Sequence, residues 1–134
     1  MKRSLLTLAL VAWLGVFGWA GSIYYCSNMT GSEVEHALPF PIWDKALHFS
    51  IFAVGSFLIT AAWRISTGWR WRLILPISIV AISAYGASDE YHQLSSPGRS
   101  GGDVGDWEAD TLGAVAGAAI CGACGFRKGR RVEG

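Results

Sequence analysis

The chain is 134 residues long, enough for one domain (1–134), with 51% hydrophobic and only 16% charged residues. Soluble domains carry about 25% charged residues, and the mean hydropathy here is +0.34, so the totals lean toward a membrane protein. A net charge of +1 without a basic stripe gives no sign of a nucleic-acid-binding face.

A membrane helix needs roughly 20 apolar residues. The first such run is 5–25, uncharged and preceded by Lys2 and Arg3. That pattern also suits a secretory signal. The run is long for a signal core, and "IYY" before Cys26 is a poor cleavage site, so a retained span is expected. The polar, then Pro-rich stretch from Ser27 to Trp43 reads as a surface loop without regular structure, with Glu33, Glu35 and His36 as loop residues. The second span is 46–65, interrupted by His48 near its start. The third is 69–88, opened by Arg70 and Arg72, with Trp69 and Trp71 suited to an interfacial belt. The fourth is 109–126, short and rich in Gly and Ala. Its Cys121-x-x-Cys124 lies in this small-residue run and reads as helix packing rather than redox chemistry.

Lysine and arginine favour the cytoplasmic side. Nine of the eleven fall there if both termini are cytoplasmic; only Lys45 and Arg99 face outward. Nine of the ten acids share that outer side. The expected architecture is an all-α, four-helix transmembrane bundle, multi-pass in the cytoplasmic (inner) membrane, with both termini cytoplasmic.

Six of the ten acids lie between Ala87 and Asp110, flanked by apolar sequence. Residues four apart on a helix are about 40° apart. Asp44 with His48, Asp89 with Gln93, and Asp106 with Asp110 therefore form three polar pairs, each at one helix end on the outer side. Asp110 shares its face with Gly113 and Gly117, a small-x-x-x-small pattern that admits a close neighbour. It should point into the bundle, and the three pairs should converge on an outward-facing pocket. "SSPGRSGG" is a turn that can fold Arg99 over the cluster, to neutralise carboxylates or to clamp a phosphate. Asp44 and Asp106 are placed to cap the second and fourth spans, while Asp103 and Glu108 read as solvated.

"DKALHF" (Asp44–Phe49), "DEYHQ" (Asp89–Gln93), "PGR" (Pro97–Arg99) and "DWEADTLGAVAG" (Asp106–Gly117) resemble the VanZ-like family in order and spacing. The resemblance covers about Asp44 to Gly122. Asp110 stands where the family more often has Asn, and His92 is not part of the pattern. The resemblance implies a small integral membrane protein of the cell envelope. The founding member is associated with resistance to the antibiotic teicoplanin, and no established reaction comes with the family.

The candidate catalytic residues are Asp44, His48, Asp89, Glu90, Gln93, Asp106 and Asp110, with Arg99 as the candidate binding residue. His48 and the carboxylates offer mixed nitrogen and oxygen ligands for a divalent metal. Without a metal, His48 would be a general base oriented by Asp44. The expected partners are membrane lipids and a phosphate-bearing envelope lipid or wall precursor. A non-catalytic binding or shielding protein is the alternative, and a small transporter or channel subunit ranks last.

Overall fold

The computed structural model describes residues 2–37 and 43–125. The basic tail after Gly125, the end of the expected fourth span and the segment 38–42 lie outside the described residues. Five helices follow in order: α1 (Lys2–Ser27), α2 (Gly31–Ala37), α3 (Asp44–Ser66), α4 (Trp71–Gln93) and α5 (Val104–Ala123). Three stretches are long and apolar enough to cross a membrane: Ser4–Ser27, Asp44–Ser66 and Trp71–Gln93. α5 has 20 residues but carries Asp106, Glu108 and Asp110 in its first two turns.

α3 is the central element and packs against α5, α1 and α4. Its contact with α5 is the tightest. A Cβ added at Gly113 would collide with the Phe49 carbonyl, and one at Gly117 with the Ala53 carbonyl. The two glycines are thus the groove into which the α3 backbone fits, as the small-x-x-x-small spacing requires. Ser56 seals the contact by donating to the Ala114 carbonyl at 2.6 Å. Phe52, Ile82 and Ala114 form the core, with Trp19 and Tyr85 packed on it. Trp19 lies over Gly55 and donates its indole N–H to the Ile51 carbonyl at 3.0 Å.

The outer face is as apolar as the core. Leu6 is 71% exposed and Phe17 68%, both on α1. A soluble domain would not leave such a stripe in water.

Two expectations are corrected. The Ser27–Trp43 stretch contains α2, nucleated by a reciprocal cap: Glu33 accepts from the Thr30 N–H at 2.7 Å, while Thr30 accepts from the Glu33 N–H at 3.3 Å. The hydrogen bond from the Thr30 N–H, the larger cause, also holds the Glu33 carboxyl below its ordinary range. The expected caps are also reassigned. Trp43, not Asp44, is the α3 cap residue and makes no side-chain cap bond. Asp103 caps α5, accepting from the Gly105 N–H at 2.7 Å, so that helix begins about five residues earlier than its hydropathy suggests.

Candidate functional site

The polar residues meet at one end of the bundle, where α4 ends and α3 and α5 begin. Asp89 is 7% exposed, Glu90 5%, Asp106 3% and Asp110 0%. Carboxylates buried to this degree must be hydrogen-bonded or paired, and their partners define the site.

Asp110 accepts from His48 Nδ1 at 2.9 Å. Its carboxyl also lies over Gly86 of α4, where a Cβ would sit 2.7 Å from Oδ2. Oδ2 itself has no hydrogen-bond partner among the described residues. Asp110 therefore joins three helices, and a glycine on α4 makes room for it. Asp106 pairs with Lys45 Nζ at 2.8 Å, and the same ammonium lies 3.5 Å from Asp103. The Gly105 N–H and, behind it, the Lys45 charge hold the Asp103 carboxyl below its ordinary value of 3.8.

Asp89 is served by neutral donors. Ser27 donates to Oδ1, and Gln93 Nε2 donates to Oδ2 at 2.8 Å. The other end of the Gln93 amide accepts from Arg99 Nε at 3.2 Å. Arg99 does fold back, as the turn chemistry predicts, but onto an amide; among the described residues no carboxylate forms an ion pair with it. Glu90 Oε2 accepts from the Asp103 N–H at 3.0 Å, and Oε1 is buried with no partner among the described residues.

The connecting loop is drawn onto the same end. Ser96 donates to the Ser27 carbonyl at 2.6 Å, the Gly31 N–H to Pro97 at 3.3 Å, and the Gly102 N–H to Glu90 at 3.1 Å. Gly98 (φ 72°) and Gly102 (φ 80°) take the left-handed backbone that these turns need.

A cavity of about 200 Å³ opens here between α1, α3 and α4. Asp44, His48, Asp89, Gln93 and Arg99 line its polar part; Ile23, Cys26, Met29, Val34, Leu47, Ile51 and Phe52 supply an apolar wall. Of the expected site residues, those five reach the cavity, while Glu90, Asp106 and Asp110 are not among the lining residues. The orienting partner of His48 is also reassigned: buried Asp110 holds the ring, and Asp44, whose side chain is 65% exposed, lies 4.0 Å from Nε2.

Ser27, Lys45, Ser96 and Asp103 also take part and were not expected in the site; Asp103, expected as a solvated charge, instead caps α5 and lies 3.5 Å from Lys45. Lys45 had a signal, being the only lysine between Lys2 and Lys128 and adjacent to Asp44. Asp103 had one too, three residues before Asp106 at the start of an apolar run. Ser27 had none, because its partner is 62 residues away. His92 stands aside, its ring 5.0 Å from Tyr24 and its Nε2 donating to Asn28 at 3.2 Å. Glu108 is exposed, as expected.

No curated protein and no solved structure matches the chain. A family model described as VanZ/LLP1 matches residues 4–125, nearly its whole length and all the residues of the site. The apolar helices and this match together identify the chain as a membrane protein belonging to the VanZ/LLP1 family.

Proposed function

We propose that the chain is a multi-pass protein of the cytoplasmic membrane in which α1, α3, α4 and α5 all cross, with both termini cytoplasmic and the cavity facing outward. The support is the asymmetry of Lys and Arg. For α5 it is also that Asp106 and Asp110 are buried and that no charge follows Asp110 in the helix.

We further propose that the cavity recognises an envelope lipid or wall-precursor carrier with a phosphate-bearing head group. One observation carries this reading: the cavity is amphipathic, with an apolar wall beside a guanidinium, an imidazole, an amide and the Asp44 and Asp89 carboxylates. A chain-bearing phosphate has that polarity. Arg99, tied by Nε to Gln93, suits a tetrahedral oxyanion. Bulk transport is the least supported alternative, because buried Phe52, Ile82 and Ala114 fill the bundle core.

The test uses the detergent-purified chain with a polyprenyl phosphate and the matching polyprenol. The phosphate should raise the unfolding temperature in a saturable way, the alcohol should do so less, and Arg99→Gln should erase the difference. Equal effects of phosphate and alcohol, or no effect of either, would defeat the reading.

A second reading, catalysis, is favoured by His48. With no metal on it, the ring lines the cavity while buried Asp110 fixes its Nδ1–H, which leaves Nε2 as the base. Release of inorganic phosphate or of a wall-precursor fragment, abolished in His48→Gln, would establish it; binding without turnover leaves recognition or shielding. A link to glycopeptide resistance would appear as raised teicoplanin tolerance on expression, lost in Arg99→Gln.

A further inference from the structure

We propose that the polar end of the bundle binds one divalent metal ion of the zinc or manganese class, ligated by Asp44, His48 and Asp106, with Asp110 orienting the imidazole. Asp44 and His48 share one face of α3, and Asp106 comes from the first turn of α5. One ligand atom from each lies within 4.8 Å of the others.

The histidine supplies the first argument. A ligand imidazole is usually held through its other nitrogen by a carboxylate. Asp110 does this at Nδ1, so the Nε2 lone pair is directed away from Asp110, and Asp44 stands 4.0 Å from it. Metal–ligand bonds of about 2.0–2.2 Å require the three donors to draw closer. The exposed Asp44 side chain has the freedom to do so.

Charge supplies a second, independent argument. Among the described residues six carboxylates gather at this end, four of them buried, against two fixed positive charges, Lys45 and Arg99. Arg99 pairs with an amide, and Asp89 with neutral donors. Asp110 is fully buried and Glu90 nearly so, and among the described residues neither Asp110 Oδ2 nor Glu90 Oε1 has a partner. A bound cation offsets the charge of carboxylates left this way, as a proton also would. One nitrogen with carboxylate oxygens, completed by water, suits zinc or manganese better than a soft metal. Lys45 is the ion's competitor, with Nζ 2.8 Å from Asp106 Oδ1.

Asp44 and His48 also line the cavity, so this inference deepens the proposed function. Its role rests on that reading, but its existence is tested without any lipid, and the two can fail separately. The experiment is calorimetric titration of the full chain in detergent, after chelator treatment, with Zn²⁺ alone. One ion per chain is expected. Asp44→Asn changes an exposed side chain and should keep the fold while weakening binding at least tenfold. His48→Gln should do the same, and Asp110→Asn should weaken binding about 10–100-fold through the ring it orients. Lys45→Met should tighten it, and Glu33→Gln, away from the site, should leave it unchanged. The inference is overturned by no saturable Zn²⁺ binding, by Asp44→Asn binding like the parent, by weaker binding in Lys45→Met, or by an equal loss in Glu33→Gln.

Discussion

Replacing Gly117 by alanine adds one methyl group at the tightest contact in the bundle. That methyl would meet the Ala53 carbonyl, with the Phe57 N–H 3.0 Å away. Backbone cannot swing aside as a flexible side chain does, so α5 must move off α3. Overpacking of this kind costs about 1–3 kcal/mol. The better helix propensity of alanine returns about 1 kcal/mol, leaving a net loss of up to about 2 kcal/mol. Leucine at 117 should cost more and damage assembly. Gly18 and Gly21 supply the control, since a Cβ at either meets nothing within 4 Å. Alanine there should stabilise by about 0.5–1 kcal/mol. Unfolding in one fixed detergent, followed by tryptophan fluorescence, reads all of these variants. Gly117→Ala matching or exceeding the parent, or Gly18→Ala losing as much as Gly117→Ala, would refute the close α3–α5 packing.

Three further outcomes follow from the site. Ser27→Ala removes the donor to Asp89 Oδ1 and should cost about 1–3 kcal/mol in the same unfolding assay. Asp110→Asn keeps the shape of a fully buried side chain and its acceptor for the His48 Nδ1–H but removes a charge that is costly to bury, so unfolding should show no loss of stability even though Zn²⁺ affinity falls. Asp103 has a depressed folded-state pKa, so its capping contribution is complete above 3.8 and disappears as pH falls through the lower folded value. Acid unfolding of Asp103→Asn should lack that component.

The features legible in the sequence were those set by helical phase. Asp110, Gly113 and Gly117 fall on one face by spacing alone, and that face is the one buried against α3. The Pro-Gly-Arg turn was legible from its backbone chemistry. Helix ends were not. α4 runs on to Gln93 because Asp89 and Glu90 turn inward to Ser27 and Asp103, partners that no local pattern reveals. α5 starts at Val104 because Asp103 caps it, although hydropathy alone places the start at 109. The orientation of His48 was misread for a related reason. Asp44 is its neighbour in sequence, but Asp110, 62 residues away, is the closer partner in space.

The central claim is an outward-facing cavity whose polar end meets an apolar wall, and Cys26 reports on it directly. This thiol is exposed and lines the cavity, whereas Cys121 is buried and Cys124 follows the far end of α5. With Cys121 and Cys124 changed to alanine, right-side-out membrane vesicles should react with a membrane-impermeant maleimide at Cys26, and polyprenyl phosphate should slow that reaction. Labelling only after the vesicles are opened would contradict the orientation, and labelling that polyprenyl phosphate leaves unchanged would contradict the cavity as its binding site.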